Sequence, residues 1–145
     1  MVIQDLASKT VFLDTAPLIY FIEGHSIHQT KLAKIFHLAD KSELSFCTSP
    51  ITLLEVLVKP LREGKTAIAD QYREILTTAN AIEIINTTTA IAAQAAKLRA
   101  KYGLRAPDAI QLATSIEVAA DIFLTNDIRL RSVSEIHVIT LAELE

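Results

Sequence analysis

Four carboxylates stand where this chain would turn from one structural element to the next. They are Asp14 in Leu13-Asp14-Thr15, Glu55 in Ser49-Pro50-Ile51-Thr52-Leu53-Leu54-Glu55, Asp108 in Ala106-Pro107-Asp108, and Asp127 in Thr125-Asn126-Asp127. Drawn to one place they would repel, at roughly 3 kcal/mol for each pair about 5 Å apart in an effective dielectric near 20. A domain stable by only about 5–15 kcal/mol does not hold such a cluster for stability alone. A divalent cation reverses the sign. An all-oxygen donor set without His or Cys selects a hard ion, so Mg²⁺ or Mn²⁺ is expected, with waters completing its shell. Such an ion activates water near neutral pH, and a second, if present, stabilises a leaving oxygen, which suits hydrolysis of a phosphodiester. No Ser-His-Asp set, Gly-rich phosphate loop or CxxC pattern offers a competing chemistry.

Each acid also has an ordinary explanation. Asp is a favoured helix cap, which serves for Asp14. Asp in a first helical turn suits the dipole, which serves for Asp108. Asn126 and Asp127 are common turn residues. Glu55 could share a narrow solvent-facing stripe with Thr52 and Lys59. Against that, it is the only charged residue from Ile51 to Val58 and lies under two turns from the end of a strand, where burial would keep it protonated unless a cation or donor compensates. The decisive point is that all four settings can reach one rim.

The elements that must bring them there follow from periodicity and turn signals. Strands are predicted at Thr10–Leu13, Leu44–Thr48, Ile82–Ile85, Ile122–Thr125 and, at an edge, Ile136–Ile139. A helix from about Thr15 to Ile22 has Pro17 near its start, and Glu23-Gly24-His25 forms a turn. The next helix turns Leu32, Ile35, Phe36 and Ala39 to one side. Ser49 caps a helix that opens on Pro50 and ends at Lys59-Pro60. Beyond a polar turn, Ile68, Tyr72, Ile75, Leu76 and Ala79 mark another helix. Ile91, Ala95, Leu98 and Tyr102 mark the next, with Lys97, Arg99 and Lys101 near its negative end and Gly103 after it. The helix opening at Pro107 runs to about Ala119 and feeds almost directly into Ile122–Thr125. It must therefore run antiparallel to that strand and begin at the carboxyl rim, where parallel α/β sheets gather their ligands. Met1–Lys9 reads as a patternless lead-in and Leu141–Glu145 as a tail. His25 and His28 read as a surface loop pair, His37 and His137 as structural.

At 145 residues the chain is one domain, 1–145, long enough to bury roughly 70% of its unfolded surface. Half of it is hydrophobic, with three Gly and no biased tract, so it should fold throughout. The single Cys47 lies in a strand candidate and reads as a buried core thiol in a reducing compartment. No apolar run reaches the ~18–20 residues of a membrane span, and a soluble cytoplasmic protein with no membrane contact is expected. A formal charge of −3 argues against bulk electrostatic binding of nucleic acid and leaves local basic positions to do that work. Arg105, Arg129 and Lys59 are nearest the acids in sequence; ordinary solvated surface explains them equally well.

In their order and spacing, Leu13–Tyr20, Ser49–Glu55, Arg105–Ile110 and Leu124–Asp127 resemble the PIN-domain family, specifically the VapC-type toxin ribonucleases of toxin–antitoxin pairs. The resemblance spans nearly the whole chain. It implies an α/β fold, a three-layer α/β/α PIN-like domain with a five-stranded parallel sheet in the order 3-2-1-4-5, Asp14 and Asp127 facing each other at the switch point. It also implies Asp14 and Asp108 as the principal metal ligands and catalytic acids, Glu55 as a ligand or water-positioning base, and Asp127 as the fourth acid. Thr15 and Thr125 would orient the carboxylates, with Asn126 beside them. The function implied is a Mg²⁺-dependent endoribonuclease, the toxin of a type II pair, cutting single-stranded or looped RNA and held by a cognate antitoxin. No aromatic stacking motif names a base preference. More apolar helix faces are present than one core needs, so a homodimer and an antitoxin groove are both expected. Two rivals stay open: a non-catalytic module of the same fold acting through a partner or on operator DNA, and a flavodoxin-like hydrolase of small phosphate esters.

Overall fold

Short runs of Val, Ile, Phe and Leu walled in by polar turns give strands buried on both faces, as a sheet covered on both sides requires. A computed structural model describes residues 1–78 and 81–145. Its strands are β1 (Thr10–Leu13), β2 (Ser45–Thr48), β3 (Ile82–Ile84), β4 (Ile122–Thr125) and β5 (Val138–Thr140). All neighbours pair in parallel, in the order β3-β2-β1-β4-β5. The sheet order expected from the resemblance is the one observed.

The helices are α1 (Thr15–Glu23), α2 (Gln29–Asp40), α3 (Pro50–Arg62), α4 (Thr66–Thr77), α5 (Thr89–Tyr102) and α6 (Ala106–Glu117). Strand alternation divides the core in two. Val11, Leu13, Phe46, Ile82, Ile122 and Leu124 face one way and pack with residues of α1, α2, α3 and α4. Phe12, Cys47, Phe123 and Val138 face the other way and pack with α5 and α6, where the Phe12 and Phe123 rings stack at 5.2 Å. Among the described residues the three layers are thus unequal: α1 to α4 cover one face, and α5 and α6 the other.

Several elements depart from the sequence expectation. Pro60 does not end α3, which continues to Arg62. A proline removes one hydrogen bond, and so near a helix end little is lost; Lys65 N then closes on Pro60 O at 2.8 Å. Met1–Lys9 is not patternless: Ile3–Leu6 forms a 3-10 turn that buries Ile3 and Leu6, tied to the far end by Ile3 N donating to Glu145 O at 3.0 Å. The last strand is Val138–Thr140, two residues later than Ile136, because Phe123 pairs with Val138. Leu141–Glu143 turns as a 3-10 helix. Ala79, expected on the face of α4, lies outside the described residues.

The histidines also depart from expectation. His28 is buried rather than part of a surface loop, and its ring lies 6.2 Å from that of Tyr20 and 5.0 Å from that of His25. His37 and His137 are exposed. Of the α5 cations, Arg99 donates its Nε to Leu104 O at 2.9 Å, a loop carbonyl just past the helix end at Gly103.

Cys47 is buried, as expected, and burial pushes its thiol up to about 12. It should resist Ellman's reagent in the native protein and react at once in denaturant. Rapid reaction in buffer would contradict the packing described.

Candidate functional site

Three helix N-termini meet at the carboxyl edge of the sheet. α1 leaves β1 there, α3 leaves β2 there, and α6 begins there before running back towards β4. Asp14 is the cap of α1, its Oδ1 accepting from Thr15 N at 2.9 Å. Asp14 N donates to Leu124 O at 3.0 Å, which fixes the residue against the end of β4. Its Oδ2 accepts from the Thr125 hydroxyl at 2.7 Å, and Thr125 Oγ1 in turn accepts from Asp127 N at 3.0 Å. Thr125 therefore links the two acids at the switch point.

Burial is the largest influence on Asp14 and raises its carboxyl above the ordinary range. The bonds from Thr125 and Thr15 pull the other way, and the charge of Asp108 raises it further. Donors alone do not repay the desolvation of this carboxylate. Asp127 behaves oppositely. The Arg129 guanidinium holds it below its usual value, with Nη2 to Oδ2 at 2.7 Å and Nε to Oδ1 at 3.0 Å. Asp108, in the first turn of α6, pairs with Arg105, Nε to Oδ2 at 3.1 Å. Glu55 accepts from the Thr15 hydroxyl at 2.7 Å.

Beneath these acids lies a buried polar seam that sequence reasoning missed. Gln111 is 1% exposed and Thr52 0%. Gln111 Oε1 accepts from the Ser49 hydroxyl, while its Nε2 donates to Thr52 Oγ1 at 2.6 Å and towards Asp14 Oδ1 at 3.4 Å. The Thr48 and Thr52 hydroxyls stand 2.8 Å apart, and the Thr15 and Thr52 hydroxyls 3.5 Å apart. α3 and α6 are thus joined by hydrogen bonds rather than by apolar packing alone. The available signals were Gln111 interrupting the apolar run Ala109–Ala113 one turn after Asp108, and Thr52 three residues before Glu55. The solvent stripe that would have explained Glu55 is not there, since Thr52 is fully buried and Glu55 half-buried.

The acids do not close on one point as they stand. Among the described residues, no three Asp, Glu, His or Cys side chains are grouped closely enough to hold an ion. Each of the outer acids has a partner of its own: Arg105 pairs with Asp108, Arg129 with Asp127, and the Thr15 hydroxyl with Glu55. The charges still act on one another, Asp108 on Asp14, Asp108 on Arg129, and Arg105 on Asp127. A hard cation fits this donor set chemically, because it would compensate the desolvated Asp14 carboxylate and its repulsion by Asp108 together. A cleft of about 360 Å³ opens beside Asp14, lined also by Ala16, Thr125, Asn126, Asp127, Ile128 and Arg129. A second, of about 190 Å³, runs past Arg105, Asp108 and Arg129. Arg129 borders both. Lys59 borders neither; it lies nine residues into α3, about 14 Å from the helix start by helical rise.

Fold and rim together define an open, all-parallel α/β domain with carboxylates at its switch point. Residues 11–136 match the PIN domain, and the chain belongs to that family. No curated protein matches it in sequence. It is similar to a toxin–antitoxin complex from Klebsiella pneumoniae at 25% identity, covering 90% of this chain and 97% of that one, with a TM-score of 0.67. It is also similar to VapBC2 from Rickettsia felis bound to a DNA fragment from the promoter, at 17% identity, 90% and 98% coverage, and a TM-score of 0.69. A third is VapC20 of Mycobacterium tuberculosis, described as a sarcin-ricin loop cleaving toxin, at 15% identity, 78% and 86% coverage, and a TM-score of 0.64. Among the described residues, no helix is long and apolar enough to cross a membrane.

Proposed function

We propose that this PIN-domain protein is a metal-dependent endoribonuclease, the toxin of a VapBC-like toxin–antitoxin pair. The observation that carries the reading is the Asp14 carboxylate, desolvated at the end of β1, pinned by Thr125, Thr15 and Gln111, and under the repulsion of Asp108. Asp14 and Asp108 would hold Mg²⁺ or Mn²⁺, with Asp127 and Glu55 as the adjoining acids. When bound, the ion supplies positive charge to a phosphate oxygen and acidity to a water. The chain's own residues do the rest. Thr15 fixes one oxygen of Glu55, so that carboxylate can orient a water or accept its proton. Arg105 and Arg129 supply donors for phosphate at the cleft mouths. The similarity to a sarcin-ricin loop cleaving toxin supports RNA as substrate.

The test is cleavage of a structured RNA by purified protein with Mg²⁺ or Mn²⁺, with and without chelator. Asp108→Asn should cut on the order of a hundredfold more slowly. Cleavage that survives chelation, or equal rates in that variant, would assign the activity elsewhere. The arginines compete with the ion for Asp108 and Asp127, so Arg129→Gln should bind Mn²⁺ several-fold more tightly by calorimetry, roughly as expected for removing one charge-assisted bond. Unchanged or weaker affinity would mean Arg129 does not guard the site.

An antitoxin partner belongs to the same reading, supported by the complexes to which the fold is similar. A row of exposed apolar residues on α3, Leu54 at 60%, Val58 at 42% and Leu61 at 50%, accords with a chain that assembles with a second protein or a second copy of itself. The rival reading is a non-catalytic module acting within a DNA-bound complex, favoured by arginines that already satisfy two of the acids. It predicts RNA left intact under every metal condition.

A further inference from the structure

Beside the acidic cleft lies a strip that the nuclease reading does not use. Tyr20, in the second half of α1, accepts a hydrogen bond at its hydroxyl from Asn126 Nδ2 at 3.0 Å, and Asn126 lines the cleft holding Asp14 and Asp127. The His25 ring rests against the Tyr20 ring with centroids 4.1 Å apart, and buried His28 backs His25 at 5.0 Å. The backbone amides of Ile27 and His28 both donate to His25 Nδ1 at 3.2 Å. That nitrogen must be bare, so the ring proton of neutral His25 sits on Nε2. Among the described residues, no acceptor takes the Tyr20 hydroxyl's own proton. Tyr20 and His25 are both half-buried, which leaves part of each ring at the surface.

We propose that Tyr20, His25 and Asn126 form a nucleotide subsite that receives the base next to the cleaved phosphate of a single-stranded or looped RNA, with Tyr20 O–H and His25 Nε2–H as donors to it. The proposal rests on the nuclease reading. A cluster of acids at the chemistry and a net charge of −3 leave little long-range attraction for RNA. Stacking on an aromatic surface needs no charge, and hydrogen bonds to a base edge add selectivity that phosphate contacts lack. The strip is also preorganised, since the amides fix His25 and Asn126 fixes the Tyr20 hydroxyl, so little freedom remains to be lost on binding.

The test compares wild type, Tyr20→Phe, Tyr20→Ala, His25→Ala and Asp14→Asn, reading RNA binding by fluorescence anisotropy without metal, cleavage kinetics with Mn²⁺, and the base at each cut by sequencing. Tyr20→Ala and His25→Ala should raise Kd and KM about tenfold. Their kcat should stay within about threefold of wild type, because the strip touches the base and not the reacting phosphate. Tyr20→Phe keeps the ring and should alter which base stands at the cut, which preserves the test if Tyr20→Ala does not fold. Asp14→Asn should bind without cutting. If wild type cuts RNA and the strip variants cut the same sites with unchanged KM, the subsite is wrong and the nuclease reading survives. If wild type neither binds nor cuts RNA, both fall.

Discussion

Asp14→Asn should abolish RNA cleavage and leave the protein more stable. Asparagine keeps the acceptor that Thr15 N and Gln111 use, and its amide can donate to Thr125 Oγ1, an oxygen with a second lone pair. What disappears is a part-buried, desolvated negative charge. A carboxyl raised in the folded state contributes stability only when protonated, and that contribution is lost as pH rises through its folded value. Near pH 7 the wild type therefore carries a cost that the variant lacks. The gain should be about 1 kcal/mol, or roughly 3 °C in melting temperature for a chain of this size. It should shrink as pH falls and vanish below about pH 4, where both chains are neutral at this position. Cleavage should fall on the order of a hundredfold or more. Melting curves between pH 3.5 and 7.5 check the first part, and a variant less stable at pH 7 would remove the claim that Asp14 is held at a cost for function. Asp127 provides the contrast. Its lowered value contributes stability that is present at neutral pH and lost below about pH 4, and its exposed partner Arg129 limits that contribution to tenths of a kcal/mol.

Gln111→Leu should destabilise the fold, although residue 111 bears no charge. Its side chain bonds Ser49 at the cap of α3, Thr52 within α3 and Asp14 at the cap of α1. Leucine of similar size would leave the Ser49 hydroxyl without its acceptor and remove a donor from Thr52, both fully buried. Unmade buried bonds cost about 1–3 kcal/mol each, so a loss of roughly 2–4 kcal/mol in urea denaturation is expected. Cleavage should drop as well, because Asp14 and Glu55 are both held by groups that meet at Thr52 and Thr15. Gln111→Glu keeps the acceptor for Ser49 and places a charge beside Asp14, so it should lose more activity at neutral pH than at pH 5. Wild-type stability in the leucine variant would show that the seam does not join the two helices.

The sheet was legible because each strand is a short apolar run with a turn signal at its end, and because the helix from Pro107 had only one way to reach Ile122. The corners were legible for a related reason: Asp14 and Asp127 sit where capping chemistry and strand ends coincide, and Asp108 lies in the first turn of a helix that must start at the same rim. Pro60 misled because a proline's cost depends on how much helix follows, and only two residues do. Gln111 and Thr52 escaped because a buried polar residue on an apolar face has no local signature; only the crossing of α3 and α6 gives each its partner. The arginine pairs escaped for a related reason, since Arg105 and Arg129 lie three and two residues from their acids and read as surface charge until the rim is built. The aromatic strip combines residues 106 positions apart in Tyr20 and Asn126, a proximity created by pairing β1 with β4.

The proposed nuclease requires separate acidic side chains to share a cation at the end of β1. Crystals grown with MnCl₂ and measured at the manganese absorption edge address that directly. An anomalous peak within bonding distance of Asp14 and Asp108, with Arg105 moved off the second carboxylate, is the expected result. Well-ordered crystals with no peak at that position, Arg105 still on Asp108, and manganese bound elsewhere would contradict it.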